Sequence, residues 1–158
     1  MSLLFVKGQS KSEDCWKRIN KPQYNLNICL KGKWYTNSTD PSKLVIGDHE
    51  TQVKIGVSKR QKNNKKSSKE IWNIEYGPIL KNDTYSFVSD TTLTKDSYEI
   101  YLCIYSYYDP QSKKNFRLGS AILSNKKKYQ MFDTMYPKNI KDAETFFIDV
   151  LSNLKVVE

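Results

Sequence analysis

"YEIYLCIYSYYDPQSKKNFRLGSAIL", Tyr98 to Leu123, contains the most apolar stretch of the chain. Tyr98, Ile100, Leu102 and Ile104 alternate with Tyr101, Cys103 and Tyr105. A period of two is the mark of a β-strand, whose side chains point to opposite faces in turn. Neither set is polar enough to face water, so the strand belongs at the centre of a sheet, covered on both sides. "YYDPQSKKN" breaks it, and Phe116 to Leu123 forms the next strand. Two strands joined by a Pro-containing polar turn predict antiparallel pairing.

The same alternation extends outward from this pair. Tyr24, Leu26, Ile28 and Leu30 form one strand pattern, and Val53, Ile55 and Val57 another. Leu3 to Val6, Leu44 to Ile46, Tyr85 to Val88 and Tyr129 to Phe132 are shorter candidates. "GKWYTNSTDPSK", Gly32 to Lys43, is turn-rich and reads as a loop. Ile71 to Leu80 reads as a strand with Trp72, Ile74 and Tyr76 on one face. The period changes in residues 138–155. There Ala143, Phe146, Phe147, Val150, Leu151 and Leu154 share one helical face. Acidic Asp142 and Glu144 sit near its start and Lys155 at its end, as the helix dipole favours. The prediction is a single mainly β domain over 1–158, an antiparallel β-sandwich of about eight strands with one C-terminal amphipathic helix. A PH-like barrel closed by that helix is the alternative.

Charge is unevenly spread. The chain carries a formal +9, and Lys59, Arg60, Lys62, Lys65, Lys66 and Lys69 supply +6 of it within eleven residues that contain no acid. A local basic patch suits a polyanion such as anionic lipid, nucleic acid or an acidic protein. A strand edge guarded against aggregation is the plainer reading, but it needs fewer charges than these.

Other chemistries are poorly supplied. His49 is the single histidine. No HxxxH or CxxC spacing, GxGxxG or GxxxxGK[ST] occurs, so neither a zinc site nor a phosphate-cradling loop is announced. Catalysis and a cofactor are not expected. Cys15, Cys29 and Cys103 cannot all pair with one another, and Cys29 and Cys103 fall within apolar strand patterns. They read as small buried hydrophobes in a reducing compartment. The start "MSLLFVKG" is too short in apolar residues for a signal segment. No apolar run approaches the roughly 18 residues that span a bilayer. The expected location is the cytoplasm, with peripheral membrane attachment.

Two segments carry a family resemblance. "KEIWNIEYGPIL", Lys69 to Leu80, is similar to the C2-domain strand N-P-x-W-N-E-x-F. Trp72 and Asn73 stand in place, Glu75 comes one residue late, Tyr76 replaces the Phe, and no proline precedes the Trp. The segment Tyr98 to Leu123 resembles the C2 sequence of apolar strand, D-x-D loop, D-F-I/L-G and strand. "TQVKIGV" is similar to the Y-V-K-V strand that follows the first C2 loop. The resemblance covers 24–132 as a C2-like core, followed by the helix of 138–155.

The resemblance implies a polybasic strand or hairpin that docks on anionic phospholipid or phosphoinositide headgroups. Lys59, Arg60, Lys62, Lys65, Lys66 and Lys69 are the contacts, with Lys54, Lys113 and Lys114 assisting. It also implies where calcium would bind. Asp109 occupies one carboxylate position, but Tyr107 and Asn115 stand at two others. Glu50, Asp40 and Asp48 are the remaining candidates. A hard dication wants several carboxylate oxygens, so calcium independence is expected. Tyr105, Tyr107 and Tyr108 gather at the same loop, where membrane insertion, core packing and partner contact account for them equally well. Gly32-Lys33-Trp34 resembles the lipocalin G-x-W start, which raises a ligand-binding barrel as a further reading.

Two other functions stay in view. One is a single-stranded nucleic-acid-binding OB-like domain, which would interleave exposed aromatics with its bases. The other is a scaffold subunit that meets a protein partner, with the C-terminal helix as a contact.

Overall fold

The computed structural model describes residues 16–19, 22–29, 34–37, 43–140 and 142–156. Its strands are β1 (Trp16–Ile19), β2 (Leu26–Cys29), β3 (Trp34–Asn37), β4 (Lys43–Asp48), β5 (Lys54–Ser58), β6 (Gln61–Lys62), β7 (Tyr85–Lys95), β8 (Tyr98–Asp109), β9 (Lys114–Ser124), β10 (Lys128–Pro137) and β11 (Leu154–Val156). The helices are α1 (Ser68–Glu75) and α2 (Ala143–Asn153), and a 3-10 turn spans Gly77–Lys81. Among the described residues the strands form two antiparallel sheets. The small one has the order β1-β2-β11, and the large one runs β3-β4-β5-β10-β9-β8-β7 with β6 also paired to β10. The protein is mainly β, with the expected C-terminal helix.

β8, expected at the centre of a sheet, lies second from one edge of the large sheet, between β9 and β7, and its two faces nonetheless enter two different cores. Tyr98, Ile100, Leu102 and Ile104 pack with Leu26 and Ile28 of the small sheet and with Phe147, Val150 and Leu151 of α2. Tyr101, Cys103 and Tyr105 pack with Ile71 and Trp72 of α1 and with Ile122. Each fully buried aliphatic or aromatic side chain contributes about 1.5–3 kcal/mol, so both layers hold the sheet. α2 lies very close to β9, because a Cβ on Gly119 would come within 2.5 Å of the Phe147 ring.

The reading of Ile71 to Leu80 as a strand is corrected. Ser68–Glu75 is a helix, and the 3-10 turn continues from it. Ser67 caps the helix by accepting from the Glu70 N–H, while the Glu70 carboxylate accepts from the Ser67 N–H at 2.7 Å. That backbone donor, with the Ser67 hydroxyl, holds the Glu70 carboxyl below its ordinary range. This reciprocal pair satisfies two otherwise orphaned helix donors. Ile71 and Trp72 are buried on adjacent positions, whereas Ile74 is 58% exposed, so alternation fails. The segment that resembles a C2 strand is therefore helical.

Smaller differences follow the same logic. Trp34–Asn37 pairs with β4 as a sheet-edge strand, although its sequence reads as loop. β7 extends to Lys95, well past Val88, with a register irregularity between Phe87 and Ser89. Leu154 and Lys155, expected on the helix, belong to β11 and pair with β2. The candidate strand Leu3 to Val6, Cys15 and Leu30 lie outside the described residues. His49 is exposed beside β4, its ring 4.6 Å from that of Tyr35.

Candidate functional site

The basic run does not lie along one strand. Lys59 and Arg60 connect β5 to β6, Lys62 is in β6, and Lys65 and Lys66 are in the loop before α1. All but the half-buried Arg60 are exposed. Lys62 stands opposite Lys128 on β10, and Gln61 stands opposite Tyr129. This pairing brings a second basic run to the first. Lys126 and Lys127 form the β9–β10 turn, and Lys128 begins β10. Asn63 fastens the two together. Its side-chain amide donates to the carbonyls of Lys66 at 2.8 Å and Asn125 at 2.6 Å, and its Oδ1 accepts from the Lys66 N–H at 3.0 Å. Its own N–H donates to the Lys127 carbonyl at 2.8 Å. Asn63 is only 5% exposed, so these bonds form in a site where an unmade bond would be expensive.

A second tie fixes Arg60. Its N–H donates to the Gln23 carbonyl at 3.0 Å, and its Nη2 donates to the Asn25 carbonyl at 3.0 Å. The turn at 22–25 thereby becomes one wall of a cleft of about 330 Å³, with Arg60, Lys62, Lys127 and Lys128 around it. Among the described residues, no Asp or Glu lines this cleft.

Other candidates lie elsewhere. Lys69 sits in α1, where it forms an ion pair with Asp90 at 3.5 Å and lies 5.3 Å from the Tyr101 ring centroid. Lys54 opens β5, at the far end of that strand from Lys59. Lys113 and Lys114 lie at the opposite end of β9 from Lys126. Tyr105, Tyr107 and Tyr108, expected at a loop, lie within β8 and do not act as one group. Tyr105 is buried against α1, Tyr107 stacks on Tyr85 at 4.8 Å, and Tyr108 is exposed. Asp109 is occupied by its own turn, accepting from the Ser112 hydroxyl and from the N–H groups of Gln111 and Ser112. Those bonds, the Ser112 hydroxyl foremost, hold its carboxyl below the ordinary range. The Asn115 carbonyl accepts from the Lys138 N–H in the neighbouring turn. Among the described residues, no group of three or more His, Cys, Asp or Glu side chains is placed to hold a metal ion. Among those residues, too, no helix is long and apolar enough to cross a membrane.

The two lysine runs were only half legible. "NKKKY", Asn125 to Tyr129, is visible as a basic turn between strands. Its meeting with Lys62 depends on the β6–β10 pairing, and β6 has only two residues.

The class this architecture defines is a mainly β protein whose large antiparallel sheet carries a helix on each face. No family model matches the sequence, and no curated protein matches it. Solved structures share the fold. The solution structure of cyanobacterial PsbP (CyanoP) from Synechocystis superposes with a TM-score of 0.58 at 11% identity, covering 95% of this chain and 96% of that one. A 1.50 Å crystal structure from Bacteroides thetaiotaomicron also gives 0.58, at 12% identity over 91% of this chain. This chain spans about half of that protein, 49% of its length.

Proposed function

We propose that the protein attaches to anionic membrane surfaces through the basic end formed by Lys59, Arg60, Lys62, Lys65, Lys66 and Lys126 to Lys128. The observation that carries this reading is the convergence of two lysine runs, held by Asn63 to Asn125 across 62 sequence positions. Each base near an anionic surface contributes about 1 kcal/mol, so the group supports reversible attachment. The cleft residues favour headgroups over stacked nucleobases, because among the described residues bases, amides and a proline line it and no aromatic ring does. Lys69 is excluded from the contact set by its ion pair with Asp90.

The test is sedimentation with phosphatidylserine-containing vesicles at low and moderate salt, beside a gel shift with single-stranded DNA. Binding to vesicles should weaken steeply with salt. Reversing charge at Lys126, Lys127 and Lys128 should weaken it as strongly as reversing Lys62, Lys65 and Lys66. Vesicle binding that ignores the first triple variant contradicts a composite site. Tighter binding to DNA than to vesicles favours the nucleic-acid reading. Added calcium should leave pelleting unchanged.

A further inference from the structure

We infer that the cavity where β9 begins and β10 ends takes a nucleotide, its planar base stacked on Phe116 and its phosphate held by Lys114 and Lys138. This site lies at the opposite end of β9 from Lys126 and does not depend on membrane attachment. Strand register builds it. Tyr107 stands opposite both Tyr85 and Phe116, and Phe116 stands opposite Pro137. Cross-strand partners share a face, so four neighbouring strands each place one ring in a single row across the large sheet. The rings support one another. Tyr85 and Tyr107 stack with centroids 4.8 Å apart, and Phe116 lies 6.3 Å from Tyr107. Tyr105, two residues inward on β8, is buried under α1, whereas Tyr107 and Phe116 are half-buried. A sheet-borne ring that keeps part of its surface open is the kind of platform on which a base stacks.

Phe116 and Pro137 also line a cavity of about 820 Å³, with Ile140 as a third apolar side chain. That volume falls in the range of small-molecule sites. The polar lining comes in pairs. Asn115 and Asn139 each bring a carboxamide, which donates and accepts as a base edge does. Lys114 and Lys138 each bring an ammonium donor suited to phosphate oxygens. The two segments that carry these pairs are joined before a ligand arrives. The Asn115 carbonyl accepts from the Lys138 N–H at 3.1 Å, and the Pro137 carbonyl accepts from the Ile140 N–H at 3.0 Å. Prior ordering of the backbone lowers the entropy that binding must give up. Asp109 is the cross-strand partner of Lys114, and its carboxylate accepts from Gln111 and Ser112 of its own turn.

Calorimetry tests the site with whole ligands and with their parts. The probes are adenosine monophosphate and uridine monophosphate, beside adenosine, which lacks the phosphate, and ribose 5-phosphate, which lacks the base. At least one nucleotide should bind more tightly than either fragment. Phe116→Leu keeps an apolar side chain and should lose on the order of tenfold in nucleotide affinity, erasing the advantage over ribose 5-phosphate. Lys114→Gln with Lys138→Gln should erase the advantage over adenosine. Lys65→Gln with Lys66→Gln removes the same charge at the far end and should keep nucleotide affinity. Thermal melts establish that each variant is folded. Amide shifts in the unaltered protein give a measurement that needs no variant, and on adding nucleotide they should concentrate at Lys114 to Phe116 and Lys138 to Ile140. Shifts confined to the Lys59–Lys66 and Lys126–Lys128 loops, equal loss of affinity in the two lysine variants, or no binding of either nucleotide overturns the site.

Discussion

The side-chain amide of Asn63 reaches the backbone carbonyl of Asn125 across 2.6 Å, joining two loops that lie 62 positions apart. Each loop carries lysines, and their mutual repulsion opposes the contact. The amide works because it serves three partners at once: the Lys66 carbonyl, the Lys66 N–H and the Asn125 carbonyl. Asn63→Ala removes all three and leaves these part-buried backbone groups without them. It should lower unfolding free energy by about 1–3 kcal/mol in urea titrations. It should also reduce vesicle binding more than Asn64→Ala, whose side chain is exposed in the same loop. Equal vesicle binding by the two variants would show that the amide does not organise the basic end.

Gly119 sets how closely α2 approaches the large sheet. A Cβ at this position meets the Phe147 ring at 2.5 Å and Thr134 Cγ2 at 3.1 Å. Phe147 is fully buried, and close-packed interiors leave a ring little room to retreat. Gly119→Ala should therefore destabilise the protein by about 1–3 kcal/mol through overpacking. Phe147→Leu alone should also destabilise, by leaving space. The double variant should be more stable than the sum of the two losses predicts, since one change fills what the other vacates. Simple additivity in thermal or urea melts would place the ring away from β9.

The strands that sequence reveals are those whose partners are strong on both faces. Tyr98 to Tyr105 alternates two apolar sets, and each set enters its own core, one against α2 and one against α1. The helix at Ser68–Glu75 misleads because Trp72, Ile74 and Tyr76 happen to alternate. Its start signal is nonetheless present, with Ser67 followed three residues later by Glu70 ahead of Ile71 and Trp72. Local capping chemistry outweighs a three-residue alternation once α1 has a sheet face to cover. Trp34–Asn37 escapes notice for the opposite reason, since a short edge strand among turn-forming residues gains its structure from β4. The basic end divides likewise. Its first lysine run is plain in the sequence, but the contribution of Lys126 to Lys128 needs the β6–β10 register.

α1 is held to the sheet by a polar contact as well as by apolar packing. The Trp72 indole N–H donates to the Ser120 hydroxyl at 2.7 Å, and both residues are buried. Ser120→Ala should strand that N–H and destabilise by about 1–3 kcal/mol. Trp72→Phe removes the donor and part of the ring contact with Tyr101 and Tyr105. A double-mutant cycle by urea unfolding should give a coupling energy near 1 kcal/mol, as for directly bonded neighbours. A coupling indistinguishable from zero would mean that the indole and the hydroxyl do not meet.

Cys103 lies on the face of β8 beneath α1 and is 1% exposed. Burial pushes its thiol up to about 11 from an ordinary 9.0, with the Asp90 charge adding to the effect. The folded protein thus holds this proton more tightly than the unfolded chain does. A group whose folded pKa is raised contributes its full stability below the unfolded value and loses it as pH rises toward the folded one. Stability should therefore decline between about pH 9 and pH 11, by an amount on the order of 1–3 kcal/mol. Burial also pushes Tyr129 up, to about 12, with the Glu75 carboxylate adding to it, so its loss of stability falls in a higher window. A Cys15→Ser, Cys29→Ser variant isolates Cys103 for a thiol-reactive dye. At pH 8 the folded protein should label slowly and the urea-unfolded chain at once, because the thiolate is scarce and shielded under α1. Replacing Cys103 with Ala in the same background should flatten the stability profile between pH 9 and pH 11 relative to the parent. Rapid labelling at pH 8, or an unchanged alkaline profile in the Ala variant, would place the thiol outside the layer that α1 covers.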